Sequence, residues 1–207
     1  MNGTIGFGRH PSDELQKLYE TNPFQIQEPE KAKIIFLSRD ANWDYNIDQN
    51  DCFFNDVIKY LEDGVKYWKK NNIHTPLLKP CYKGEGKAYH RNFHKLGFTS
   101  DNAEDICLFE LLNYCTFGRS SKNDTLFFKE VSKAENKKHR DRIKDFAKMG
   151  KIICIPDSKD FKKIIDKLEL FDTDGENIIK HASFSTAISN KKLEELKETL
   201  HKFLKGK

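Results

Sequence analysis

Three polar residues of different chemistry each stand directly after an apolar run: Asp40 in "IIFLSRDANWD", Asn113 in "FELLN" and His181 in "IIKHASFST". A carboxylate can stabilise a developing cation or take a proton from water. A primary amide offers a donor and an acceptor side by side, so it can read the edge of a ligand. An imidazole can give a hydrogen bond to an oxygen that is gaining negative charge. Gathered in one place, the three would make a hydrolytic site with its own reader. Each also has a plainer use. Asp and Asn close turns by bonding to nearby backbone, and a His at a strand end can satisfy carbonyls.

The elements that must position them are legible as two periodicities. The apolar runs at 32–38, 106–112, 151–156 and 176–182 are short, rich in Ile and bounded by polar, Gly, Pro or Asp residues, as buried parallel strands are. Helix-like segments precede and separate them, at 11–22, 53–70, 88–98, 138–150, 158–171 and 190–207. The second has Phe54, Val57, Ile58, Leu61, Val65 and Trp68 on one face, Gly150 stops the fourth, and Ser158 is placed to cap the fifth. This alternation predicts a three-layer α/β/α sandwich with a central four-stranded, mainly parallel sheet. One domain over 1–207 is expected, with 1–30 as an N-terminal helical extension. Ligands of such sheets bind at the carboxyl ends of the strands, where Asp40, Asn113 and His181 fall.

Composition narrows the class. Sixteen Phe in 207 residues are too many for a disordered chain. No run of 18 apolar residues occurs, and the first residues lack the basic-then-apolar layout of a signal peptide, so a cytoplasmic protein is expected. The five cysteines are odd in number and contain no CxxC pair, which argues against a disulfide framework and a zinc cage. His90 and His94, spaced i, i+4, could hold a metal but lack a third ligand, so a surface pair is expected. A net charge of +4 permits polyanion binding without demanding it.

In order and approximate separation, "IIFLSRDANWD", "FELLN" and "HASFST" resemble the three motifs of the uracil-DNA glycosylase superfamily. The resemblance covers about residues 32 to 190. The last motif here lacks the usual Pro, and Asn42 stands where the classical uracil enzymes carry a methyl-excluding Tyr, so the chain resembles a divergent branch.

The resemblance implies a monofunctional, monomeric DNA glycosylase without cofactor or metal. It would flip a deaminated base, expected to be uracil, and hydrolyse its N-glycosidic bond to leave an abasic site. Asp40 and His181 would be catalytic. Asn113 would read the base, Phe53 (with Phe54 as its neighbour) would cover its face, and Asn42 and Trp43 would border it. Phe184 would wedge into the gap in the duplex, and Arg119, Ser120, Ser183 and Ser185 would meet DNA phosphates. The alternatives are a glycosylase of the same fold for hypoxanthine or mismatched thymine, a non-catalytic nucleic-acid-binding relative, and an unrelated α/β nucleotide-binding enzyme.

Overall fold

A computed structural model describes residues 6–49 and 51–206. In chain order its strands are β1 (Gly8–Arg9), β2 (Gln25–Ile26), β3 (Ile34–Ser38), β4 (Ala41–Asn42), β5 (Ile106–Glu110), β6 (Cys115–Phe117), β7 (Ile152–Pro156) and β8 (Ile178–His181). Its α-helices are α1 (Asp13–Thr21), α2 (Asp51–Glu62), α3 (Gly64–Asn71), α4 (Lys87–His94), α5 (Asp124–Val131), α6 (Lys137–Lys148), α7 (Lys159–Lys167) and α8 (Asn190–Lys205).

The four apolar runs form β3, β5, β7 and β8, all parallel, in the order β5-β3-β7-β8. Alternation along each strand builds two cores. Ile34, Phe36, Leu108 and Cys154 face a layer with buried side chains from α1, α2, α3, α4 and α8. Ile35, Leu37, Phe109 and Ile155 face the opposite layer, built on α5, α6 and α7. Each fully buried Ile or Phe is worth about 1.5–3 kcal/mol, so both faces of the sheet are tied down. The result is the three-layer α/β/α arrangement.

Three details differ from the sequence reading. The main sheet has five strands, because β2 adds antiparallel to β5. Residues 6–30 are therefore no separate extension: they also supply β1, which pairs with β6 in a second, three-stranded sheet ordered β1-β6-β4. The helix expected over 53–70 is two helices. Asp63 caps α3 by accepting from the Lys66 N–H at 2.9 Å. Gly64 lies so close to Ile26 that a Cβ there would sit 2.5 Å from the Ile26 Cα, so a side chain is excluded where β2 crosses the break.

The chain leaves β3 for β5 on one side and returns to β7 on the other. Strand order thus reverses between β3 and β7, and the crevice at their carboxyl ends is the natural ligand position of this topology.

Candidate active site

The tips of β3 and β5 are joined by backbone bonds: the Leu111 and Leu112 N–H groups donate to the Arg39 carbonyl at 3.1 and 3.3 Å. Just beyond, β4 pairs with β6, Asn42 opposite Thr116. This brings two hydroxyls onto Asp40. Thr116 Oγ1 donates to one carboxylate oxygen at 2.6 Å, and Ser120 Oγ donates to the other. Burial raises the Asp40 pKa above the ordinary carboxylate value, with the Ser120 and Thr116 hydroxyls and the neighbouring Arg39 charge pulling against it. A carboxylate poised in this way suits proton abstraction near neutral pH better than an ordinary Asp. Arg39 is itself held by Asp124 at 2.5 Å and lies over the Phe127 ring.

Ser120, expected among the phosphate contacts, is buried and spends its proton on Asp40, so its role is to hold the carboxylate. Asn42 donates from Nδ2 to the Gly118 carbonyl, which fixes the amide and leaves its buried Oδ1 without a partner. Gly118 has φ +73°, and a Cβ there would lie 2.7 Å from the Gly6 carbonyl oxygen, so the loop that presents both Gly118 and Ser120 depends on glycine. Trp43 is buried and anchors the loop after Asn42.

Asn113 follows Leu112 at the β5 tip, half-buried, and its side chain makes no hydrogen bond among the described residues. It is thus available to a ligand. His181 ends β8, opposite Pro156 of β7. Its Nδ1 lies 2.8 Å from the Ala182 carbonyl oxygen. A carbonyl only accepts, so Nδ1 carries the proton, and the neutral ring presents Nε2 as an acceptor. Burial holds the His181 pKa down to about 4. In this geometry His181 donates from Nε2 only as an imidazolium.

Phe184 does not project as a wedge. It is 1% exposed, stacked on His181 with centroids 4.3 Å apart and packed edge-on against Tyr89 and Phe93. Asn92 Nδ2 fastens this loop by donating to the Phe184 and Thr186 carbonyls at 2.8 and 2.9 Å. Phe184 is core because the aromatic layer around Phe36 has room for it under the loop. Ser183 is half-buried and accepts from the Ser185 N–H at 3.4 Å, while Ser185 and Arg119 are exposed.

Phe53 is buried with its ring stacked on Tyr82, centroids 4.9 Å apart and planes 7° from parallel. The pair borders a cavity of about 190 Å³ lined also by Asp44, Asn46, Ile47 and Lys83. Asp40, Asn113 and His181 do not line it, so Phe53 and the three strand-tip residues do not surround one cavity in this structure. Tyr82 is held in turn by its hydroxyl donating to the Glu85 carbonyl at 2.6 Å and by the Lys87 ammonium on its own carbonyl.

Other polar residues escaped the sequence reading. Glu110, the last residue of β5, is buried and accepts from Tyr19 and, at 2.6 Å, from Gln25 Nε2. Gln25 Oε1 accepts from the Tyr60 hydroxyl at 3.1 Å. Burial pushes the Glu110 pKa up to about 8. A charged residue closing a fully apolar run was its only sequence signal. His90 is not a surface residue: it is buried and bonds to buried His74 at 3.1 Å, while His94 is exposed. Among the described residues no three His, Cys, Asp or Glu side chains converge to hold a metal.

No protein-family model, curated protein or solved structure matches the chain.

Proposed function

We propose that the chain is a DNA glycosylase that hydrolyses the N-glycosidic bond of an extruded deaminated base, with uracil as the expected base. The observation that carries the reading is Asp40: a half-buried carboxylate, gripped by two hydroxyls, just past β3, one of the two strands that flank the reversal of strand order in a parallel sheet. Its motif partners complete the resemblance to the superfamily: Asn113 follows the adjoining strand β5, and His181 ends β8, one strand beyond β7.

In this reading the bond between the sugar C1′ and the base nitrogen breaks, and the base leaves with the electron pair. Asp40 stabilises the cationic sugar, takes a proton from the attacking water, and the new hydroxyl forms on C1′. Asn113 accepts from N3–H of uracil and donates to O4. Cytosine presents the opposite pattern, and each mismatched group in a dry pocket costs about 1–3 kcal/mol. His181 becomes a donor as negative charge builds on the base, because an adjacent anion raises an imidazole pKa.

The test is a set of oligonucleotides carrying uracil, hypoxanthine or a T:G mispair, scored for alkali-labile abasic sites. Abasic product from uracil is expected. Product from hypoxanthine or mismatched thymine alone would reassign the base. Tight DNA binding with no product from any of them would favour a non-catalytic relative, a reading that the covered face of Phe53 and the bare Nε2 of neutral His181 favour.

A further inference from the structure

Tyr45 is 41% exposed, one of three large hydrophobic side chains left open to water among the described residues. The other two, Leu126 and Met149, lie in α5 and just after α6. Tyr45 alone belongs to the loop that carries Asp40 and Asn42.

Its exposure is not looseness. Trp43 and Ile47, on either side of it, are buried. The Trp43 N–H donates to the Thr116 carbonyl at 2.9 Å, the Asn46 N–H donates to Asp44 Oδ1 at 3.1 Å, and His10 Nε2 lies 2.9 Å from the Asp44 carbonyl oxygen. The ring meets Phe117 at 5.0 Å and 83°, with His10 at 6.4 Å. A rigid aromatic surface is thus held in solvent beside the candidate active site, where its exposure costs free energy that a stacked partner would recover.

Basic side chains stand in the segment that follows Phe117 and in the cavity that Asp44 and Asn46 line. Arg119, just past Phe117 at the end of β6, and Lys122 are exposed and form no ion pair among the described residues. Lys83, equally unpaired, shares the neighbouring cavity with Asp44 and Asn46. The carboxylates of Asp44 and Asp48 on the same loop oppose a phosphate, so the ring has to carry much of the affinity.

We propose that Tyr45 is a stacking platform for an unpaired base of a single-stranded DNA segment beside the target nucleotide, with Arg119 and Lys122 meeting its phosphates. This rests on the glycosylase reading above. Stacking of a base on an aromatic residue tolerates every base and needs the strand to be unpaired.

The test is fluorescence anisotropy at low salt with a labelled oligothymidine and a matched duplex, using the full chain as wild type, Tyr45→Ala and Tyr45→Phe. Tyr45→Ala is expected to weaken single-strand binding by roughly five- to a hundredfold and duplex binding far less, with Tyr45→Phe close to wild type. Unchanged single-strand binding in Tyr45→Ala would overturn the proposal. So would equal losses in both variants, which would make the hydroxyl the active group, or an equal loss on duplex. Tyr45-dependent binding without abasic product would sink the glycosylase reading and keep the platform. Abasic product with affinity indifferent to Tyr45→Ala would sink the platform alone.

Discussion

Glu110→Gln should stabilise the protein increasingly as pH rises. Glu110 is sealed inside the first core layer beside Tyr19 and Gln25, and burial lifts its pKa from 4.5 to about 8. A carboxyl whose folded pKa is raised stabilises fully below its unfolded pKa, and that contribution is lost as pH climbs through the folded one. The window is therefore pH 4.5 to about 8. At 1.36 kcal/mol per unit, the stabilisation lost across it is roughly 5 kcal/mol. The Gln variant has no proton to lose. Its Oε1 can accept from the Gln25 Nε2–H while its NH2 group donates to the Tyr19 oxygen, the pattern that the protonated carboxyl presents. Glu110→Gln should match wild type to within about 1 kcal/mol at pH 5 and be more stable at pH 9. Urea unfolding of both proteins from pH 5 to 9 reads this directly, because other titrating groups cancel in the difference. Parallel curves across that range would refute the argument that Glu110 is protonated in the fold.

Acid should unfold the wild type steeply. His74, His90, His139 and His181 are buried with pKa values lowered by burial, to about 3 for His90 and about 4 for His139 and His181. Neutral-ring stability is complete above the ordinary value of 6.5 and is lost as pH falls below it. Four such groups, offset by the one opposing proton of Glu110, give a slope of up to roughly 4 kcal/mol per pH unit, and a urea midpoint flat from pH 6.5 to 4.5 would contradict this. Phe184→Ala should cost about 3–5 kcal/mol of stability in thermal or urea unfolding, as a core deletion does. A loss under 1 kcal/mol with weakened DNA binding would restore the wedge. Ser120→Ala removes a donor that lowers the Asp40 pKa, so the acid limb of the pH–rate profile should move to higher pH. A fixed limb would mean that Asp40 does not set it.

The four parallel strands and their shared carboxyl edge were legible because uninterrupted Ile-rich runs occur only where both faces of a strand are covered. The break between α2 and α3 was not, since Gly64 is needed by the backbone of Ile26, a neighbour distant in sequence. The β1-β6-β4 sheet was invisible for a different reason. Strands of two or three residues hold no period, yet their pairing is what sets Thr116 on Asp40. A single Phe in a polar loop gives no sign of its side, so Phe184 read as a wedge until its stacking on His181 was seen. Ser120 looked like any loop hydroxyl, and only the fold turns it inward. The identities of Asp40, Asn113 and His181 came from motif order, while the tautomer of His181 is set by the position of the Ala182 carbonyl.

The central claim is that Asp40 drives base hydrolysis. Single-turnover cleavage of a uracil-containing oligonucleotide by wild type and Asp40→Asn, at protein concentrations that saturate the DNA in both, tests it most directly. Abasic sites from the wild type, with a loss of roughly 10²–10⁴-fold in Asp40→Asn and unchanged DNA affinity, are the result expected of a positioned general base. Equal rates in the two proteins, or no abasic product from the wild type, would contradict the account.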